Sequence, residues 1–551
     1  MSIVAKKILM ASEAEATPSD DEFNRTSFLS HFDGTNNGVN NQFTDGSASN
    51  HTVTANGNVT QGSFGPFSRP DGEWGVSFDG DSDYLQVAAS SDFDFGTGDF
   101  TFECSFFKSD VGDYEYLMSF GNNTNADSIA LYIQNGLVKV YNGAAIFNAG
   151  STTVTLNTWH HVAVVRISST LKMYLDGNQV HSVSNSSNIA STGGANIANW
   201  RLAGDAQYFN GVISNARVVK GTGVYTGNFT PSTSKLTAIT NTKLLTCQSN
   251  RFVDNSATGH TVTAYATSAI TAFGSILTSE VYDPAVNGAS GSFGSGNYLT
   301  SGANTDWTVG TGNFTVEFWI YPTDYSQPYM PVVTIGDSTG GLLIGKSQVD
   351  GNGFGAYPKG TGGAVVRSAT FPQINAWTHV LFSRSGTSVK LFYNGVQKVV
   401  NQSGYNFGAG SLTVGSYNGY SRYWGGNITD LRYVKGTATA TSNFTPPTAP
   451  LPAITNTKLL LNMADGQAID SAAQNNMVLS GNAKVSTGQA KFGDTSTYFD
   501  GSGDFAYLPD PSVGHFIEGN FTAECWVYPT ASPSQPIIMG QWSGRDRKSV
   551  V

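Results

Sequence analysis

Asp99-Phe100-Thr101-Phe102-Glu103-Cys104-Ser105-Phe106 recurs as Asn313-Phe314-Thr315-Val316-Glu317-Phe318-Trp319-Ile320. It recurs again as Asn520-Phe521-Thr522-Ala523-Glu524-Cys525-Trp526-Val527. In the first copy Phe100, Phe102, Cys104 and Phe106 alternate with Thr101, Glu103 and Ser105, and the other two copies keep that alternation. A period of two is the signature of a strand with one face in a core. Cys104 and Cys525 occupy the slot of Phe318, so both are expected to be buried thiols acting as small hydrophobes rather than ligands or nucleophiles.

Working outward, the same order of motifs repeats. Trp159-His160-His161-Val162 through Arg166 returns as Trp377-Thr378-His379-Val380 through Arg384. Leu175-Asp176-Gly177 returns as Tyr393-Asn394-Gly395, and both end in the dipeptides that supply the positive φ of a type I′ hairpin. Ala216-Arg217-Val218-Val219-Lys220-Gly221 returns as Leu431-Arg432-Tyr433-Val434-Lys435-Gly436. Each full copy then runs through Asn-Phe-Thr-Pro and into Ile-Thr-Asn-Thr-Lys-Leu-Leu, at 239–245 and 454–460. A period of roughly 210 residues is far too long for a solenoid, so each copy is a domain. No long amphipathic helix interrupts the pattern.

The expected organisation is an N-terminal tail or docking segment over 1–26 and a first sandwich over 27–236. A second sandwich over 239–451 and a shortened third copy over 454–544 follow. Pro/Thr/Ser stretches at 230–234 and 445–452 are the expected linkers. Residues 545–551 do not continue the motif. Asp546 to Val551 is what GAT CGG AAG AGC GTC GTG encodes, which resembles a short-read sequencing adapter, so read-through into an adapter is the expectation for this stretch.

Composition narrows the function. Charged residues are only 13%, while glycine reaches 63 residues. That mixture suits short strands joined by tight turns, with hydroxyls and amides facing water. A net charge of −11 offers no phosphate-neutralising surface, which argues against a nucleic-acid partner. No apolar run reaches membrane-spanning length, and the apolar stretch after Lys6-Lys7 is too short for a secretory signal. Three cysteines give no disulfide framework.

Taken together, the Phe-Thr-x-Glu strand, the Trp-x-His-Val strand, the Leu-Asp-Gly hairpin and the closing strand with Arg217 and Lys220 resemble laminin-G-like, concanavalin A-like jelly rolls. The implied fold class is all-β: tandem jelly-roll β-sandwiches, two complete and one truncated. Tandem copies ending as Tyr225–Pro231 does resemble structural proteins of marine tailed phages. The resemblance implies binding of sugars, matrix components or proteins, in some members with calcium at a loop.

Candidate chemistry is sparse. Each copy offers one strand carboxylate (Glu103, Glu317, Glu524), whereas a glycosidase needs two. Glu103 and Glu317 are therefore expected to pair with Arg166/Arg384 or Arg217/Arg432, or to cap loop amides. His161 and His379 are expected in or near the core, bonded to backbone. Asp79, Asp81 and Asp83 have the alternate-acid spacing that Ca²⁺ favours, although Tyr84 stands where an EF-hand loop has glycine. A polar turn feeding the Tyr-Leu strand is the favoured reading of this stretch. Asp45, Asp254 and Asp470 are expected to form Asp-x-Ser-like turns. Loop aromatics and amides that could stack on and bond a sugar are Tyr417, Tyr420 and Arg422, with Tyr325, Gln327 and Tyr329 on a second loop.

The leading expectation is a non-enzymatic virion protein on the virion surface: a tail fibre, appendage or decoration. Its partners would be host-surface glycans or neighbouring virion proteins, with self-association into a homo-oligomer as a further partnership. The alternatives are a bacterial extracellular adhesin and, third, a polysaccharide hydrolase.

Overall fold

Phe100–Phe107 and Phe314–Pro322, the two complete copies of the alternating strand, each lie near the middle of an eight-stranded antiparallel sheet. The computed structural model describes residues 39–543 and 546–550, except 41, 44, 46–47, 58, 65–67, 70–71, 109, 111, 113, 122–127, 143–145, 190–192, 201–206, 273–283, 337–339, 349–351, 360–362, 418–419, 465–477, 492–494, 508–523 and 532–536. The expected tail over 1–26 and Asp470 fall outside the described residues.

In the first sandwich, Phe100–Phe107 is flanked by Trp159–Ile167 on one side and by the closing strand Asn210–Lys220 on the other. Thr170–Leu175 and Asn178–Ser184 continue the sheet outward. A facing seven-stranded sheet contains Tyr84–Val87, Ala195–Ile197, Glu115–Phe120, Ile129–Gln134, Leu137–Tyr141 and Ile146–Thr153. Phe100, Phe102, Cys104 and Phe106 are fully buried between the two sheets, against Leu117, Ile129, Leu131 and Val164. The second sandwich repeats this layout, with Phe314, Val316, Phe318 and Ile320 in the matching positions. Burial of that alternating face is the main stabilising term in each sandwich.

Both hairpin expectations hold. Asp176 and Gly177 have φ of 50° and 75°, and Asn394 and Gly395 have 48° and 76°. Here glycine is required twice over. A Cβ on Gly177 or Gly395 would stand 1.8 Å from the carbonyl oxygen of Phe229 or Phe444. Those phenylalanines belong to the repeated Asn-Phe-Thr-Pro segments, which dock on the hairpins: the Phe229 amide donates to the Gly177 carbonyl at 2.9 Å, and Phe444 does the same to Gly395.

The domain boundaries differ from those expected. Thr242–Thr246 stays with the first sandwich, beside Asn210–Lys220. Val262–Tyr265 and Ala269–Thr271 close that sandwich too, one at the edge of each sheet, so that with their short turn they form an arch over its open side. The second sandwich takes Thr457–Leu461 beside its closing strand Gly426–Lys435. Its own arch comes from the far end of the chain: Thr54–Asn56 pairs Tyr298–Asn304, and Thr60–Gly62 pairs Ser290–Phe293. The exposed stretch 230–234 is a connector within the first sandwich rather than a divider. Internal homology marks where copies repeat, but hydrogen-bonding edges decide which strands share a core, and an edge accepts any matching strand.

The third copy forms ribbons. Val478–Ser480 pairs Phe505–Tyr507 and Lys484–Ser486 pairs Ser496–Tyr498. Its Glu524-Cys525-Trp526 stretch is no strand, and Cys525 is exposed, contrary to expectation. Val527, two residues on and on the same alternating face, is exposed as well. Met539–Ser543 and Asp546–Val550 form a separate hairpin.

The two sandwiches share an apolar interface. Phe64 packs on Tyr321 (centroids 5.0 Å apart) and on Trp377 (5.5 Å). The Ile270 amide donates to the Asn375 carbonyl at 3.0 Å, and the Trp377 amide donates to the Asn250 carbonyl at 3.1 Å.

Two outcomes follow from backbone and burial. Gly177→Ala and Gly395→Ala should each lower stability by more than about 1 kcal/mol, through strained φ and the clash with the docked phenylalanine, as a urea melt would measure. The second outcome concerns Asp430, which is buried where the first sandwich has Asn215 at the same bulge. Burial is the main cause pushing its carboxyl up to about 7. Being raised above the unfolded value, this pKa makes the carboxylate destabilising above about pH 7 and costless below about pH 4. Asp430→Asn should therefore stabilise the chain by on the order of a few kcal/mol near pH 8, with the gain vanishing near pH 4.

Candidate functional site

The polar centre of each sandwich lies on the outer side of the eight-stranded sheet. Glu103 is fully buried. Its Oε1 accepts from Arg217 Nε and Nη2 at 2.9 and 2.6 Å, and its Oε2 accepts from Tyr225 Oη at 2.7 Å and lies 3.0 Å from His161 Nε2. Burial alone would raise the Glu103 carboxyl; the His161 bond, the Arg217 and His161 charges and the Tyr225 hydroxyl outweigh it and hold the group below the ordinary glutamate range. In the second sandwich Glu317 Oε1 accepts from Arg432 Nε and Nη2 at 3.0 and 2.6 Å, with His379 Nε2 3.4 Å from Oε2.

The expected arginine pairing is thus met by Arg217 and Arg432. Arg166 and Arg384 are instead fully buried cations that donate to carbonyls of Gly96, Gly98 and Ser187, and of Gly310, Gly312 and Tyr405. The histidines are near-core as expected, but their side-chain partner is the glutamate rather than backbone. A carboxylate whose oxygens are already occupied by donors and sealed from solvent cannot protonate or attack a glycosidic bond.

The alternate acids of the first sandwich cap a turn. Asp83 Oδ2 accepts from the Asp79 amide at 3.0 Å, and Asp79 Oδ1 accepts from the Asp81 amide at 2.9 Å. The Thr267 amide and hydroxyl, on the arch, donate to Asp83 Oδ1 at 2.6 and 3.0 Å. These residues do not fit a calcium ion: the lone pairs a cation would use are taken by amides and a hydroxyl, and Asp81 faces outward, exposed. Among the described residues no group of three or more His, Cys, Asp or Glu side chains is gathered for a metal.

The aromatic loops of the second sandwich do converge. The Arg422 guanidinium lies 3.8 Å over the ring of Tyr329, 5.2 Å over Tyr420 and 5.4 Å over Tyr417. The buried Lys359 also lies over the Tyr417 ring, at 5.0 Å. Tyr420 is 53% exposed, which leaves a ring face for a ligand. Tyr417 is buried at 8%, packed with Leu343 and Tyr357, so it forms the floor of the patch rather than its surface. Tyr325 departs from expectation. Its ring packs on Phe371 and Trp424 and its hydroxyl is buried, which pushes that group well above the usual tyrosine range. Gln327 is exposed on the same loop.

The patch has a counterpart that sequence reasoning missed. On the outer face of the first sandwich's seven-stranded sheet, Tyr116 packs on Tyr132 and on Trp200, each with centroids 4.9 Å apart, and Tyr141 packs on Trp200 at 5.6 Å. Tyr114, 42% exposed, stacks parallel to Tyr132. Strand register makes the two patches equivalent: Tyr114 corresponds to Tyr329, Tyr141 to Tyr357 and Trp200 to Tyr417. The available signal was the alternation within Glu115–Phe120 and Ile129–Gln134, where Tyr116 and Tyr132 fall opposite the core-facing set.

No curated protein is similar to the chain. Among solved structures, it is similar to the heptameric SAP-like pentraxin from Limulus polyphemus, at 15% identity over 27% of this chain and 77% of that one, with a TM-score of 0.22. A protein of Bacteroides ovatus described as a putative carbohydrate binding protein matches at 15% identity over 36% and 60%, with a TM-score of 0.28. Domains LG4-5 of the mouse laminin α1 chain match at 13% identity over 69% and 93%, with a TM-score of 0.23. The family model described as the concanavalin A-like lectin/glucanases superfamily, of laminin-G type, matches residues 79–222 and 293–442, together more than half of the chain. The chain belongs to the laminin-G-type concanavalin A-like lectin/glucanases superfamily, as a tandem of two jelly rolls.

Proposed function

We propose that the chain is a non-catalytic carbohydrate-binding protein whose ligand face is the outer aromatic patch of each seven-stranded sheet. One observation carries the reading: both sandwiches place aromatic side chains at the same three register positions of that face, with an exposed ring at the rim of each patch. Core packing does not require rings on the outer face, and the exposed rings there, Tyr114 and Tyr420, offer a flat apolar surface on which a pyranose stacks. Arg422 adds a cationic donor in the second sandwich, which favours a sugar bearing carboxylate, sulfate or phosphate there. Against hydrolysis stand Glu103 and Glu317, each buried and bonded to an arginine.

The setting we propose is a virion appendage that meets a host-surface glycan. Its support is the tandem layout and the low-charge, glycine-rich composition. Tail or capsid genes on either side of the gene would support it, and a secretion locus there would favour the bacterial adhesin.

A glycan array on the whole chain should return acidic glycans, with Tyr420→Ala weakening the best hit by about fivefold to tenfold and Arg422→Ala by more than that. Tyr420→Ala should leave the melting temperature unchanged, since the ring is half exposed. An array without hits, or hits indifferent to both changes, refutes the assignment of this face.

A further inference from the structure

Two stretches of the chain are almost the same peptide. Asp45-Gly46-Ser47-Ala48-Ser49-Asn50-His51-Thr52-Val53-Thr54-Ala55 matches Asp254-Asn255-Ser256-Ala257-Thr258-Gly259-His260-Thr261-Val262-Thr263-Ala264. Each leads into the arch that closes one sandwich, and each is anchored by the same contacts. Asp254 Oδ1 accepts from the Leu245 amide at 2.9 Å, and Asp45 Oδ1 accepts from the Leu460 amide at 2.9 Å. His260 and Lys243 meet Asp92 at 3.2 and 2.9 Å. His51 and Lys458 meet Asp306 at 3.4 and 3.1 Å. Backbone register agrees as well, with Thr263 opposite Gln86 and Thr54 opposite Thr300.

The anchoring contacts of the two arches are therefore equivalent, yet the connectivity is not the direct one. The arch at 254–271 closes the sandwich that precedes it. The arch at 45–62 passes over the sandwich that follows it and closes the second. The third copy shows the direct mode, its strands Val478–Ser480 and Lys484–Ser486 pairing with the body that follows them. That third segment carries Asn476 where the other two have histidine, so it lacks the partner for Asp306.

We propose that the open edge of the second sandwich is a strand-exchange site for the 45–62 arch, and that a second copy of this chain supplies that arch in trans. The seat comprises Ser290–Phe293, Tyr298–Asn304 and the adjoining Thr457–Leu461. Moving an identical arch between seats conserves every contact, so the choice is governed by connectors and effective concentration. Within one chain the short connector 63–74 favours closure in cis. Chains that fold together at concentrations approaching the effective molarity, about a millimolar, close in trans.

The test uses the full chain in a Cys525→Ser background, because Cys525 is the exposed native thiol among the described residues. Directly opposed residues of antiparallel strands lie about 4.5–5.5 Å apart at Cα, within disulfide reach. Thr54→Cys with Thr300→Cys should close a disulfide inside the chain, at least tenfold more completely than Thr54→Cys with Gln86→Cys, which reports the direct connection. Equal amounts of the Thr54→Cys chain and the Thr300→Cys chain, unfolded together and refolded, should yield a 54–300 linked dimer. Its fraction should rise with protein concentration on a non-reducing gel, with the link confirmed by peptide mapping. Asn56→Cys paired with Tyr298→Cys reads the same register should either first variant fold poorly. Preferential closure of 54 with 86, or no linked dimer at any concentration, overturns the proposal.

Discussion

The ion pair in which Glu103 Oε1 accepts two N–H bonds from Arg217, and its copy between Glu317 and Arg432, holds the central strand to the closing strand where the ladder is broken. In both sandwiches the register shifts beside this pair, between Ser214 and Arg217 and between Glu317 and Trp319. Asn215 and Asp430 take positive φ at that shift. The bulge lets one long strand do two things: its first half pairs with Gly75–Asp79 or Ser290–Phe293, and its second half with Thr242–Thr246 or Thr457–Leu461. An isolated buried carboxylate here would be costly, whereas one filled by a planar guanidinium fixes register as well as charge. Trailing strands and arches attach to this kinked strand and its neighbours, so the closure of each sandwich follows from the pair.

Much of this was legible from local pattern. The Phe-x-Phe-x-Cys-x-Phe face, the Asp-Gly and Asn-Gly hairpins and the repeated arginine near the end of each copy all carry their structural meaning within a few residues. The ownership of the arches was not legible, because a peptide present in near-identical form twice carries the same anchoring residues for either edge. Cys525 was misplaced for a related reason: alternation marks which residues share a face without showing what buries it, and the Cys525 stretch forms no strand.

The aromatic patch was half legible. Tyr420, Arg422 and Tyr329 stood out as loop residues, and they do meet. Tyr325 and Tyr417 did not keep their loop character, since a ring beside a strand end gains more by packing on the sheet than by facing water. The counterpart in the first sandwich is built largely from strand residues, Tyr116, Tyr132 and Tyr141, whose rings read as generic sheet formers until the core-facing set is known. Only the pairing register shows that Trp200 and Tyr417 are the same position.

The arch arrangement also decides how the chain carries mechanical load. Residues 54–62 and Thr457–Leu461 are both seated in the second sandwich, joined through Asp45 and Leu460. Tension applied at residues 39 and 464 is therefore borne by that sandwich alone. The first sandwich hangs between Thr60–Gly62 and Ser290–Phe293, which pair with each other, and so forms a closed loop outside the path of force. It would feel no pull until the arch tears away, at a point set by the unfolding rate of the seat rather than by the stability of the shielded domain.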